Sequence, residues 1–227
     1  MLTRQIYIIG NWKCNKNKED VKNWFLNLKD AKSLSAKKST IEAIVCPVAL
    51  HISLSKNLIE KYNLPVKLGA QDVSPFENGA YTGEISASQL KDFVDYTIIG
   101  HSERRKYFYE DDSLLEKKVK MAEKVGLKSI FCVQNENTPI PSGVSMIAYE
   151  PVFAIGTGKT DSPQNADRVI SEIKKRHPGR PVLYGGSIAP ENILSFISKD
   201  TIDGVLIGAS SLDAQKFTQM ISLANTL

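Results

Sequence analysis

Cysteine is scarce in this chain: three among 227 residues, far apart at Cys14, Cys46 and Cys132. An odd, scattered set beside apolar runs excludes a disulfide framework and the paired spacing of a zinc site. Reduced thiols are expected, with Cys46 and Cys132 packed inside. Long hydrophobic runs are lacking too. No apolar stretch approaches the roughly 20 residues of a membrane-spanning helix, so no membrane partner is expected. Met1 to Asn11 offers only Ile6 to Ile9 as an apolar stretch, too short for a signal-peptide core, and a cytoplasmic location follows as the expectation. No serine-rich linker or composition shift divides the chain, so one domain over residues 1–227 is expected. Charge of one sign is nearly balanced, 29 basic against 25 acidic side chains for a net +4. The lysines at 16, 18, 37, 38, 117, 118 and 120 lack interleaved aromatics, which argues against nucleic acid, while a mild basic excess still attracts small anions.

What is present is a repeat of short apolar runs: Ile6–Ile9, Ala43–Cys46, Val66–Ala70, Tyr96–Ile99, Ser129–Val133, Met146–Tyr149, Val182–Tyr184 and Val205–Ile207. Between several of them lie stripes of helical period, namely Val21, Trp24, Phe25, Leu28; Leu115, Val119, Ala122, Val125; Ala166, Val169, Ile170, Ile173; and Ala214, Phe217, Ile221, Ala224. Continuous apolar strands alternating with amphipathic helices indicate a parallel sheet covered by helices. Eight such units close most naturally into an α/β (β/α)8 barrel. The fifth crossover is abbreviated, because Gln134 to Val144 is short and carries Pro139, Pro141 and Gly143, leaving little room for a helix.

In such a barrel, chemistry gathers at the carboxyl ends of the strands. Polar residues stand at those ends here. The first run leads into Gly10-Asn11-Trp12-Lys13 and the fourth into Gly100-His101-Ser102-Glu103-Arg104-Arg105. The sixth leads into Glu150, the seventh into Gly185-Gly186-Ser187, and the eighth into Gly208-Ala209-Ser210-Ser211-Leu212. Pro151 forces Glu150 into an extended backbone, and Gly156 and Gly158 beyond it give a loop able to close over a carboxylate and expel water.

Singly, each piece has a plainer reading: a solvated lysine, a histidine cap, ordinary glycine-serine turns. Together they make a base (Glu150), a polariser (His101), a fixed cation (Lys13) and an amide donor (Asn11), beside two turns whose backbone N–H groups suit a phosphate. No serine or cysteine has a paired base, and no His and carboxylate set has metal-ligand spacing, so neither a metal nor a cofactor is expected. Proton transfer next to a carbonyl on a phosphorylated small molecule fits best. A barrel that binds a phosphorylated metabolite without chemistry is the alternative.

The stretches Asn11-Trp12-Lys13, Gly100 to Arg105, Ala148 to Pro151 with Ala154 to Lys159, and Tyr184 to Ser187 resemble the triosephosphate isomerase family, in order from Gly10 to Leu212. The resemblance implies interconversion of dihydroxyacetone phosphate and D-glyceraldehyde 3-phosphate through an enediolate, in glycolysis and gluconeogenesis. It makes Glu150 the base and His101 a neutral electrophile whose pKa the following helix start lowers. It makes Glu103 and Ser102 supporting residues, Glu103 either positioning Lys13 or exchanging protons. Ile155 and Leu206 become an apolar clamp over Glu150. Gly156, Gly186, Ser187, Gly208, Ala209 and Ser211 line the phosphate site with Asn11 and Lys13. The resemblance further implies a homodimer in which the Gln71–Glu84 loop brings Thr82 near Lys13 and Asn11 of the partner subunit. Three positions depart from the family: Phe153 stands for Trp, Asn135 for Glu and Ala209 for Gly. The first two are expected to hold the lid open less firmly. The third tests whether the backbone there tolerates a methyl group.

Overall fold

The computed structural model describes residues 4–29, 40–151 and 161–227. Eight parallel strands close on themselves in chain order: β1 (Ile6–Asn11), β2 (Ile41–Cys46), β3 (Lys67–Ala70), β4 (Tyr96–Ile99), β5 (Lys128–Val133), β6 (Met146–Tyr149), β7 (Val182–Tyr184) and β8 (Gly204–Ile207). Closure is direct, with β1 paired to β8 through Ile9 and Leu206. Ile9, Ile44, Ile98, Ile130, Ala148, Leu183 and Leu206 fill the barrel interior as one cluster, and their neighbours in the strands face the helices as another. That two-sided burial explains why the strands read as unbroken apolar runs.

The outer layer consists of α1 (Lys18–Lys29), α2 (Ile52–Tyr62), α3 (Ala87–Lys91), α4 (Ser102–Tyr107), α5 (Asp112–Lys124), α6 (Pro163–Arg176), α7 (Ile193–Ile197) and α8 (Ala214–Ala224). The four stripes expected from periodicity are the buried faces of α1, α5, α6 and α8, except that Val125 serves as the C-cap of α5. Start signals are local: Asp111, Ser162 and Asp213 each accept backbone N–H bonds from the first turn of the helix that follows. Between β5 and β6 there is no helix, only turns, as the prolines require.

Cys46 and Cys132 are buried and Cys14 is exposed, all three unpaired. Lys118 is not a surface lysine: it is buried on α5 against Asp72 and Glu110, at 2.7 and 2.5 Å. Among the described residues, no helix is long and apolar enough to cross a membrane.

Candidate active site at the carboxyl mouth

The strand ends converge on a cavity of about 560 Å³ lined by Asn11, Lys13, His101, Glu150, Gly186, Ser187, Leu206, Gly208 and Ala209, all anticipated from sequence. Asn15, Ser210 and Asn192 also line it. Only Ser210 stood within a motif; the other two carry no signal apart from the fold. Ile155, Gly156 and Phe153 lie outside the described residues.

Glu150 is the centre of this arrangement. Its backbone N–H donates to Val133 O on β5, continuing the sheet beyond β6, so its side chain enters the mouth with only 2% of the residue exposed. Gly185 makes the space, since a Cβ there would stand 2.9 Å from Glu150 Cγ. One carboxylate oxygen accepts the Ser102 backbone N–H at 3.0 Å, and the other lies 3.0 Å from His101 Nε2. The Cys132 thiol lies against the same carboxylate. Burial first, and that negative charge second, push its pKa well up and keep it a thiol.

His101 is the N-cap of α4, delivered by a turn in which Gly100 has a φ of 72°, a conformation that favours glycine. Its Nδ1 accepts the Glu103 backbone N–H at 3.2 Å, which requires a lone pair there and places the proton of a neutral ring on Nε2, toward Glu150. The expected lowering of its pKa is not what the structure gives. Burial does pull the imidazole pKa down, but the Glu150 carboxylate facing Nε2 outweighs it, and the net direction is upward. The helix start fixes the tautomer, and the neighbouring carboxylate decides the sign.

Lys13 has a φ of 51°, in the left-handed region, which is uncommon for a residue with a side chain. Its own N–H donates to Asn11 Oδ1 at 3.0 Å, and Gln71 Nε2 holds its carbonyl at 2.9 Å. The ammonium reaches Glu103 at 2.6 Å, and a Cβ on Gly208 would be 3.9 Å from Nζ, so the cation stands beside the turn after β8. Glu103 thus contacts Lys13 directly.

That turn is a 3-10 helix over Ala209–Leu212. Ala209 is not among the described residues with positive φ, so its methyl group meets no backbone penalty. Ser211 is fully buried, and both its N–H and its hydroxyl donate to Gly208 O, at 2.9 and 2.7 Å. It braces the turn from behind and does not line the cavity. Asn135 is exposed and accepts the Asn137 N–H at 2.8 Å, a purely local bond.

The sequence model of the family described as Triosephosphate isomerase matches residues 6–224. The chain belongs to the triosephosphate isomerase family. Curated relatives bearing that name include one from Dehalococcoides mccartyi, 37% identical over 96% of this chain and 95% of its own, and one from Finegoldia magna, 37% identical over 96% and 98%. Another, from Blochmanniella floridana, is 35% identical over 99% of this chain and 97% of its own length. Membership in the family extends from the start of β1 to the end of α8, and so covers every strand end that contributes to the mouth.

Proposed function

We propose that this chain interconverts dihydroxyacetone phosphate and D-glyceraldehyde 3-phosphate as a cytoplasmic enzyme, one domain over residues 1–227. The observation that carries the reading is a buried carboxylate and an imidazole whose Nε2 lies 3.0 Å from it, facing a cavity whose other wall holds the Lys13 ammonium and the turn after β8. Glu150 takes a proton from the hydroxyl-bearing carbon next to the carbonyl and the electron pair of that C–H bond moves to form the enediolate; a proton then passes from the hydroxyl oxygen to the former carbonyl oxygen, and Glu150 returns its own proton to the neighbouring carbon. His101 Nε2–H and Lys13 stabilise the charge that develops on oxygen, and Asn11 holds the Lys13 backbone in its strained conformation.

The hydrogen that His101 directs at Glu150 is the one a substrate oxygen needs. Substrate entry must therefore break the 3.0 Å contact and free the carboxylate to act on carbon. Exclusion of water over the mouth protects the enediolate from losing phosphate. The exposed tip of the Gln71–Glu84 loop, where Phe76 and Tyr81 stack with ring centroids 4.1 Å apart, supports the further reading of a homodimer formed through that loop.

The test is turnover of D-glyceraldehyde 3-phosphate by purified protein and by Glu150→Gln prepared identically. Fast turnover lost in the variant supports the reading. Equal turnover in both exposes a contaminating enzyme, and none in either leaves a phosphate-binding barrel without this chemistry. Light scattering that gives a monomer mass at micromolar concentration would remove the dimer.

A further inference from the structure

The turn Gly208–Leu212 is a thin wall. On one side Ala209 and Ser210 line the mouth, and on the other the same residues line a second cavity of about 680 Å³ bounded by Lys16, Asp20, Trp24, Asp213 and Lys216. A wall open on both sides is not held by close packing alone. Unless its carbonyls are tied, its peptide planes are free to rotate and to turn oxygen instead of N–H toward an anion.

Two side chains from the region of α1 supply the ties. The Trp24 indole N–H donates to Ser211 O at 3.1 Å, across 187 residues of sequence. The Lys16 ammonium donates to Leu212 O at 2.7 Å, across 196. Ser211, so fixed, gives its N–H and hydroxyl to Gly208 O. The carbonyl of Gly208 and the N–H of Ala209 belong to one planar peptide unit and point in opposite directions. Holding that carbonyl toward Ser211 aims the Ala209 N–H the other way, on the side of the mouth where Lys13 stands.

Both ties are themselves packed against aromatic rings. Trp24 is 2% exposed and packs edge-on against Trp12 and Phe25, at 4.9 and 5.0 Å between centroids. Lys16 lies over the Trp12 ring at 5.2 Å, where burial pulls its pKa down against the opposing charges of Asp20 and Asp213. Core packing explains an apolar residue at position 24. It does not explain one whose single donor reaches the turn.

We infer that Trp24 and Lys16 are positioning residues for the phosphate-binding turn of this chain, acting through the carbonyls of Ser211 and Leu212 on the orientation of the Ala209 N–H. The inference rests on the reading of the mouth as a phosphate-ester site. Trp24→Phe removes the donor, keeps an aromatic ring and changes no charge; Lys16→Met removes the other donor, and Lys16→Arg restores one. The measurements are the dissociation constant of inorganic phosphate by calorimetry, together with KM and kcat for D-glyceraldehyde 3-phosphate. Each donor-deleting variant is expected to raise both the phosphate constant and KM by about fivefold, the worth of one net hydrogen bond, with the change concentrated in KM and Lys16→Arg near the parent.

Unchanged phosphate affinity in both deletions overturns the inference. So does an effect confined to Lys16→Met and abolished by high salt, which would make Lys16 a source of field instead of position. A fall in kcat with KM and phosphate affinity intact overturns it as well, as does a parent protein that fails to bind phosphate. A parent that binds phosphate but turns over no triose phosphate, with affinity weakened in the variants, would sink the isomerase reading and leave this inference standing. If Trp24→Phe fails to fold, Lys16→Met against Lys16→Arg at high salt decides alone.

Discussion

The two ends of the barrel use similar side chains to different effect. At the amino end, Glu42 on β2 accepts the Tyr96 hydroxyl and pairs with Lys67 at 2.9 Å, while Lys128 lies over the Tyr96 ring at 5.2 Å. At the carboxyl end, Glu150 meets a backbone N–H and an imidazole and faces open volume. Glu42 is saturated by fixed donors and cations, so its carboxyl pKa is held down: burial pushes it up, but the Tyr96 hydrogen bond and Lys67 outweigh that. Glu150 is held by partners that, on the proposed reading, a substrate oxygen replaces. A carboxylate becomes available for chemistry by having exchangeable partners beside a cavity, and burial alone does not confer this.

The largest effect that tests this contrast is the exchange of each carboxylate for its amide. Glu150→Gln is expected to lower kcat by about 10³-fold, the loss of a general base, with the fold retained by near-ultraviolet circular dichroism. Glu42→Gln should leave turnover within about twofold and lower unfolding free energy by about 1 kcal/mol, read from urea denaturation. Turnover lost at Glu42, or kept at Glu150, would erase the distinction between the two ends.

The next effect is smaller and concerns the cations. Lys13→Met removes the ammonium beside the cavity and the partner of Glu103, and kcat/KM is expected to fall by about 10²-fold. Lys67→Met deletes a half-exposed ion pair, for which less than about 1 kcal/mol of stability and no change in turnover are expected. A steady-state assay and a denaturation curve on each variant check both halves.

Much of this contrast was legible in the sequence on one side only. The mouth announces itself because its residues follow apolar runs directly, as Glu150 follows Met146–Tyr149, so each motif carries its own address. The strands were legible because both faces are buried. The helices α3 and α7 span five residues each, too few to show a period; α2 does carry apolar residues at helical spacing, Ile52, Leu58 and Ile59, but only Ile52 of the three is fully buried, and its stripe was not read. The amino-end cluster has no local signature: Glu42 and Tyr96 are 54 residues apart and meet only once the barrel closes. The same holds for Trp24, which reads as one more apolar stripe position until its indole N–H is seen on Ser211 O. The direction of the His101 shift was missed for a related reason, since the helix start is adjacent in sequence and Glu150 is 49 positions away.

The pH dependence of stability separates the ends by sign. Glu42 has its folded pKa below the ordinary value of about 4.5, so its contribution is fully present above that value and is lost as pH falls through the folded one. His101 has its folded pKa above about 6.5, so its contribution is fully present below that value and is lost as pH rises through the folded one. Both contributions coexist between about 4.5 and 6.5. Urea midpoints across pH should therefore lose their acid limb in Glu42→Gln and their neutral limb in His101→Gln, each variant leaving the other limb in place.

The smallest effect is the most local. If the Glu150 carboxylate is what raises His101, its neutralisation must reverse the direction, because the burial that opposes it remains. In Glu150→Gln the His101 ring, followed by its carbon-bound proton resonances, is expected to titrate at lower pH than in the parent. Glu42→Gln, at the far end of the same barrel, should leave that titration where it was. A His101 pKa unmoved by Glu150→Gln would mean that Glu103, whose carboxylate stands 3.7 Å from Nδ1, or the rest of the mouth sets it. The 3.0 Å contact would then be a consequence of packing and not the coupling that a substrate oxygen must break.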